Sequence, residues 1–155
     1  MNIDTMPAGQ IRWELRPDAA PKTAARIKTL VEMGFYNGVI FHRVVPNFVI
    51  QGGDPTGTGS GGSGQTIMWE DSPLKNVRGS VAMARAAGNQ NSADSQFFIN
   101  LKDNPNLDGS GTEKEYVVFA VVTAGMDVVD KIAQVQTMSE KPVKNVTMVS
   151  VKIAP

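Results

Sequence analysis

The chain is divided into short β-rich runs, and this division limits its fold more than any other feature of the sequence. Gly, Pro, Asn and Asp separate the runs, as turns between strands require. In the last run the apolar residues Val149, Val151 and Ile153 alternate with other residues, which is typical of a strand with one buried face. The predicted strands are 10–15, 39–45, 48–52, 80–85, 96–101, 116–122 and 146–153.

Only two segments show helical periodicity. The first, 21–34, has Pro21 where a helix begins and Gly34 where one ends. The second, 126–136, follows Gly125. Seven or eight strands with only two helices argue against a doubly wound parallel sheet. The predicted fold is therefore mainly β: an antiparallel barrel or sandwich with helices covering its open ends.

Length and composition exclude several classes of protein. The 155 residues fit one domain, residues 1–155, with a single core. The 15 basic and 15 acidic side chains cancel, so no net charge attracts nucleic acid or an anionic membrane. The chain has no cysteine and one histidine, His42, which excludes disulfides, cysteine-based zinc sites and sites with several histidines. We therefore expect no metal and no cofactor.

No segment of the sequence predicts export or membrane insertion. The first ten residues lack a basic region followed by an apolar region. Apolar runs such as 117–122 are far shorter than the ~18 residues that span a bilayer. A cytoplasmic protein without membrane contact is the expectation.

The segment 57–64, GTGSGGSG, contains the pattern Gly-x-Gly-x-x-Gly twice. That pattern can bind a phosphate when a helix follows it and points its N-terminus at the pyrophosphate. No helical periodicity follows here, and Pro73 comes soon after. Nucleotide binding is therefore the weakest hypothesis. The loop is either flexible or lets a substrate or another backbone come close because side chains are absent.

Two residues, Arg43 and His42, could carry chemistry. Arg43 is predicted to share a strand face with Phe41 and Val45, so it either forms a salt bridge at the rim or lies over an apolar pocket. His42 has no nucleophile or acidic partner at an informative spacing, which favours a structural role. The residues alone indicate a β-rich domain with an Arg- and Phe-containing region beside a glycine loop.

Several motifs taken together resemble the cyclophilin family of peptidyl-prolyl cis–trans isomerases, in its bacterial form. They are FHRVVPNFVIQGGD at 41–54, MAR at 83–85, SQFFIN at 95–100 and YVVFA at 116–120. The resemblance extends over nearly the whole chain. It implies an eight-stranded antiparallel β-barrel with one helix at each end, in agreement with the pattern of strands and helices.

The resemblance also implies an active site. Arg43 matches the catalytic arginine of the family, and Gln51 matches a polar residue beside it. Gly59 matches a glycine at the rim, and Gln96 a residue of the neighbouring subsite. The positions implied for the proline pocket are Phe48, Val49, Phe98 and Leu107, and those implied to pair with the substrate backbone are Ala84, Arg85 and Ala86. Asn106 and Tyr116 are further positions implied to bind the substrate.

Four of these positions differ from common family members. Asn106 stands where many members have Trp, so the cyclic-peptide inhibitor cyclosporin is expected to bind weakly. Tyr116 replaces a common His, and Val49 replaces a common Met and shortens one side of the pocket. Arg85 replaces a common Asn, which is tolerable if that contact is made through the backbone. Since Arg43 is retained, activity is expected to survive.

The implied function is isomerisation of X–Pro bonds in proline-containing peptides and in unfolded or partly folded proteins. The alternative is a proline-peptide binding module or chaperone on the same fold, with incidental isomerisation. No large exposed apolar stripe is evident in the sequence, so a monomer is expected.

Overall fold

Eleven strands, two α-helices and one 3-10 turn make up the regular structure of residues 1–6, 9–110 and 112–155, which the computed structural model describes. The helices are α1, Pro21–Glu32, and α2, Met126–Ile132, and the 3-10 turn is Pro105–Leu107. The strands are β1 Asn2–Met6, β2 Gly9–Leu15, β3 Val39–Ile40, β4 Arg43–Val45, β5 Val49–Gly52, β6 Ser80–Met83, β7 Phe97–Asn100, β8 Val118–Ala124, β9 Thr137–Met138, β10 Lys141–Pro142 and β11 Thr147–Lys152.

Nine of the described strands form one antiparallel sheet in the order β3-β11-β1-β2-β8-β6-β7-β5-β4, and β9 pairs with β10 in a separate hairpin. The two edge strands, β3 and β4, are the halves of the predicted strand 39–45, which is interrupted at Phe41 and His42. Because one short segment supplies both edges, the sheet must curl back on itself. The predicted barrel is confirmed, with nine strands rather than eight because 39–45 is split.

Both helices begin at the predicted residue, but both end before the predicted one. The first helix begins at Pro21 and ends two residues before Gly34, whose φ of +72° is the left-handed conformation that favours glycine. The second ends at Ile132 rather than at 136. Within the described ranges, neither helix is long and apolar enough to cross a membrane.

The barrel interior is filled by aromatic and branched side chains. Phe97 is buried at its centre and makes edge-to-face contacts with Trp13 at 4.7 Å, Tyr36 at 5.8 Å and Phe41 at 6.1 Å between ring centroids. Because side chains alternate along a strand, the next residue, Phe98, lies on the opposite face of the sheet. That face carries a second, smaller apolar cluster.

Candidate active site

The second apolar cluster forms the floor of a cavity of about 290 Å³ on the outer face of the sheet. Its buried members, Val49, Ala82, Phe98 and Val118, come from the four neighbouring strands β5, β6, β7 and β8. Alternate side chains of these strands, such as Ile50, Val81 and Phe97, point into the barrel, so the strand period that builds the core also builds this floor. The cavity is lined by Arg43, Phe48, Val49, Gln51, Ala84, Arg85, Phe98, Leu107 and Tyr116.

Another wall of the cavity is formed by Phe48, Leu107 and Tyr116, which lie in turns and loops of the described chain, and buried asparagines hold it in place. The side-chain amide of Asn76 donates to the carbonyl oxygens of Leu107 and Tyr116, each at 3.2 Å. Asn104 donates to the carbonyl of Phe48 at 3.1 Å. Both asparagines are 1% exposed, so these bonds form away from water and fix the backbone of the wall.

Arg43 lies at the cavity edge between two acceptors. It is paired with Gln51 across β4 and β5, and its Nη1 donates to Gln51 Oε1 at 3.5 Å. Its Nη2 lies 3.3 Å from Glu140 Oε2, in the turn of the β9–β10 hairpin. The sequence leaves open whether Arg43 forms a rim salt bridge or borders an apolar pocket, and in the structure it does both.

A second cavity of about 360 Å³ adjoins the first and shares Gln51, Ala84 and Arg85 with it. It is lined by Gln51, Gly59, Ser60, Gly61, Gly62, Thr66, Ala84, Arg85, Ala86, Ser92, Asp94 and Gln96. All of the predicted site residues except Asn106 therefore line one of the two cavities. Asn106 is exposed on the 3-10 turn and lines neither.

The backbone between the two cavities has an open edge. The N–H of Ala84 is bonded to the Gln96 carbonyl, and the N–H of Ala86 to Ser92 Oγ. Between them, the backbone N–H and C=O of Arg85 make no hydrogen bond to any described residue. An extended peptide could use this edge, because strand addition needs such free groups.

The side chain of Arg85 is part of the cavity wall, although the sequence expects only a backbone contact there. Only 5% of the side chain is exposed, and its guanidinium lies 4.4 Å from the centre of the Tyr116 ring. Its Nη2 donates to the Lys114 carbonyl at 2.8 Å. The Tyr116 ring in turn contacts Phe98 edge-on at 5.7 Å, so Arg85 holds the aromatic wall against the floor.

The glycine loop makes room for carboxylates. A Cβ on Gly61 would overlap the Asp54 carboxylate, and one on Gly62 would lie 2.6 Å from Asp94 Oδ2. A Cβ on Gly59 would only touch the ring of His42 at 3.6 Å. Backbone N–H groups that a phosphate would need are bonded to these two carboxylates. The described residues 65–80, which follow the loop, contain no helix, so the basis for nucleotide binding is removed.

His42 lies behind Arg43 and is 8% exposed. Burial lowers the pKa of the imidazole below its ordinary value, Asp54 opposes this, and the charges of Lys141 and Arg43 add to it. The ring Nδ1 has no hydrogen-bond partner among the described residues. Burial therefore favours the neutral form of the ring, and no hydrogen bond joins the imidazole to a nucleophile or a carboxylate among the described residues.

Comparisons with known proteins identify the family. Residues 1–153 match the family described as "Cyclophilin type peptidyl-prolyl cis-trans isomerase/CLD". The chain belongs to the cyclophilin family. Its activity is therefore peptidyl-prolyl cis–trans isomerisation, which confirms the function that the motifs imply.

Individual relatives of this cyclophilin agree. A peptidyl-prolyl cis-trans isomerase of Acinetobacter baylyi is 48% identical over 147 residues, covering 94% of this chain and 78% of the relative. Peptidyl-prolyl cis-trans isomerase A of Dickeya dadantii is 42% identical over 144 residues, covering 92% and 75%. A cyclophilin-type isomerase of Cryptosporidium parvum, crystallised in the presence of the dipeptide Ala-Pro, superposes with a TM-score of 0.90 at 32% identity, covering 99% of this chain and 98% of that one.

Some residues of this cyclophilin's site were not found from the sequence. Glu140, Asp54 and Asn76 each contact or support a predicted site residue. Glu140 and Asn76 lie outside the family motifs, and Asp54 is the last residue of the motif 41–54. Asp54 carried one signal: it directly precedes a loop rich in glycine, whose N–H groups a carboxylate can collect.

Proposed function

We propose that this cyclophilin isomerises X–Pro bonds by holding the proline ring in the 290 Å³ cavity while Arg43 stabilises the twisted amide. Amide resonance sets a barrier of ~18–20 kcal/mol to rotation. In the twisted state the proline nitrogen becomes pyramidal, and its lone pair can accept a hydrogen bond. A permanently charged guanidinium beside an apolar cavity is a suitable donor, because it interacts more strongly with the transition state than with the planar ground state.

One observation carries this proposal: Arg43 is the arginine at the edge of the cavity whose partners leave it partly free. Its contact with Gln51 is long, at 3.5 Å, and its ion pair with Glu140 is open to solvent, with side chains 39% and 51% exposed. Each contact uses one donor of the guanidinium, so the remaining N–H groups stay free for a substrate while the contacts orient the group. Arg85, in contrast, is committed to the wall by a carbonyl and an aromatic ring.

The proposed substrates are proline-containing peptides and unfolded or partly folded proteins. The proline ring would lie over Phe98, and the preceding residues would pair with the open backbone edge at Arg85. The presence of Ala-Pro with the Cryptosporidium relative supports this substrate class. The shallow position of the cavity on the outer face of the sheet also suits an extended chain rather than a compact ligand.

Arg43→Ala tests the role of the guanidinium. We expect kcat/KM for an X–Pro peptide, measured by NMR exchange spectroscopy, to fall roughly a hundredfold, equivalent to about 3 kcal/mol. The matched control is Arg78→Ala, because Arg78 is also ion-paired, with Asp130 at 2.8 Å, and lines neither cavity. Near-wild-type turnover of Arg43→Ala would refute this role, and absence of exchange enhancement by the wild type would favour a binding module.

We further propose that residues 1–155 form one domain that acts as a monomer in the cytoplasm and binds cyclosporin weakly. One buried cluster includes residues from both helices and most of the strands, which supports a single domain. The position of Asn106 supports weak cyclosporin binding, because its side chain is exposed and lines neither cavity. Light scattering coupled to size-exclusion chromatography measures the molar mass in solution and so tests whether the protein is a monomer. Calorimetric titration with cyclosporin measures the affinity.

A further inference from the structure

Asp54 is a fully buried carboxylate at the start of the glycine loop, outside both cavities. Four backbone N–H groups donate to it: Thr56 at 2.8 Å, Thr58 at 3.0 Å, Gly59 at 2.6 Å and Gly61 at 3.1 Å. Burial alone raises the pKa of this carboxyl, but the hydrogen bonds together outweigh burial and hold the pKa well below its ordinary value. The loop is therefore wound around a fixed anion.

Two glycines of the loop connect Asp54 to the second cavity through hydrogen bonds. Gly59 and Gly61 donate their N–H groups to Asp54, and their carbonyl oxygens both accept from Nε2 of Gln96, each at 2.9 Å. The peptide planes on the two sides of each glycine therefore connect the buried carboxylate to a side chain that lines the second cavity.

The hydrogen bonds of Gln96 determine the orientation of the next amide. A glutamine side chain has one donating end and one accepting end. Because two carbonyls hold Nε2 of Gln96, its Oε1 faces the other way and accepts from Gln51 Nε2 at 3.0 Å. The Oε1 of Gln51 then faces Arg43 Nη1. Reversing either amide would place donor against donor or acceptor against acceptor.

We propose that Asp54 is a positioning residue for catalysis, which acts through the glycine loop, Gln96 and Gln51 to hold the acceptor that orients the Arg43 guanidinium. The proposal rests on the role proposed above for Arg43. The contact from Gln51 to Arg43 is the longest of the series, at 3.5 Å, so a shift of a few tenths of an ångström removes it. The orientation of the Gln51 amide therefore determines whether Arg43 Nη1 has an acceptor on the side of the guanidinium that faces the cavity.

A purely structural role for Asp54 makes a different prediction, and the chain offers a matched control. Glu70 is another carboxylate that collects backbone N–H groups, from Lys22 at 3.1 Å and Thr23 at 2.7 Å. It lines neither cavity and lies at the start of α1. Asp54→Asn and Glu70→Gln each replace one acceptor oxygen with an NH₂ group that faces N–H donors, so both are expected to lower stability.

The test measures kcat and peptide affinity for both variants, each made in the full chain, and compares them with the wild type. We expect Asp54→Asn to lower kcat about tenfold or more, because misplaced catalytic groups lose rate more than binding. Glu70→Gln should leave kcat unchanged. In ¹⁵N spectra the side-chain amide signals of Gln96 and Gln51 should move toward those of free glutamine in Asp54→Asn only. A wild-type kcat in Asp54→Asn, with shifted loop signals, overturns the proposal.

A double-mutant cycle separates positioning from general loosening of the loop. In a Gln51→Ala background the effect of Asp54→Asn on kcat should disappear, because the route to Arg43 is already cut. An undiminished effect in that background overturns the proposal.

If Asp54→Asn does not fold, Gln96→Glu replaces it in the test. The new carboxylate cannot donate to the loop carbonyls of Gly59 and Gly61. We therefore expect the same loss of kcat, and we expect that loss to be absent in the Gln51→Ala background. Full activity of Gln96→Glu would contradict the proposal, whereas full activity of Arg43→Ala would contradict the proposed function itself.

Discussion

Arg43 contacts both a residue of the cavity, Gln51, and a residue of a hairpin turn, Glu140. Ser139 and Glu140 both have positive φ, at 49° and 69°, as the two central residues of a type I′ hairpin turn require. The turn is tied to the strand that carries the arginine, because the N–H of Val44 donates to the Glu140 carbonyl at 2.7 Å. The carboxylate is therefore kept beside the guanidinium, 3.3 Å from Nη2. On the mechanism proposed above, it would compete with the substrate for the donors of Arg43.

Glu140→Gln should raise kcat/KM about two- to threefold, since an exposed ion pair is worth no more than about 1 kcal/mol. The gain should shrink at high ionic strength, where the wild-type pair is already screened. NMR exchange spectroscopy on an X–Pro peptide at low and high salt measures both effects. A loss of turnover would mean instead that Glu140 orients the guanidinium.

The sequence identified residues that line the two cavities where they lie in motifs, and it missed contacts that depend on loops. Arg43, Gln51 and Phe98 lie on paired strands, and the family motifs identify them. The contact between Arg43 and Glu140 joins residues far apart in the chain through a turn that no motif marks. The inward position of the Arg85 side chain could not be predicted either, because it depends on the ring of Tyr116.

Helix α1 begins without a side-chain cap from its own N-cap residue. Its N-cap residue is Ala20, which has no polar group to accept the first free N–H groups of the helix. Glu70, distant in sequence, takes that role: one oxygen accepts from Thr23 N at 2.7 Å and from Thr23 Oγ1 at 2.9 Å, and the other accepts from Lys22 N. The negative charge also suits the positive end of the helix dipole.

Glu70→Gln should therefore lower the free energy of unfolding by about 1 kcal/mol, because it weakens a helix cap and removes a charge from the helix N-terminus. Urea denaturation followed by circular dichroism measures the change. Thr29→Ala is the control, because Thr29 also lies on α1 but bonds only to a carbonyl within the helix, that of Ala25 at 3.1 Å. Equal stability of Glu70→Gln and the wild type would show that the cap contributes nothing.

The strand prediction that was wrong has a local cause. The sequence places Val149 on a buried face with Val151, but Val149 is 50% exposed and Met148 is fully buried. The pairing of β1 with β11 passes from Asp4↔Ser150 to Thr5↔Met148, so Val149 is an extra residue in the ladder. Such a bulge changes which side chains point inward, and strict alternation cannot anticipate it.

Two buried groups, His42 and Asp54, are expected to make the stability of the folded chain sensitive to acid. Burial lowers the pKa of His42 below its ordinary value of 6.5. Hydrogen bonds that outweigh burial lower the pKa of Asp54 below its ordinary value of 3.8. In both cases the unfolded chain takes up a proton at a higher pH than the folded chain. The free energy of unfolding must therefore fall as the pH falls through each ordinary value.

We expect the free energy of unfolding, measured by urea titration from about pH 8 to about pH 3, to fall in two stages. The first begins near the ordinary pKa of 6.5 for His42 and should be absent from the slope of a His42→Gln variant. The second begins near 3.8 and should be weaker in Asp54→Asn. Because His42 is the single histidine, its imidazole signal in proton NMR gives the folded-state pKa independently. An imidazole that titrates at or above its ordinary pKa, or a His42→Gln variant with the wild-type slope, would mean that burial of this ring does not contribute to acid sensitivity.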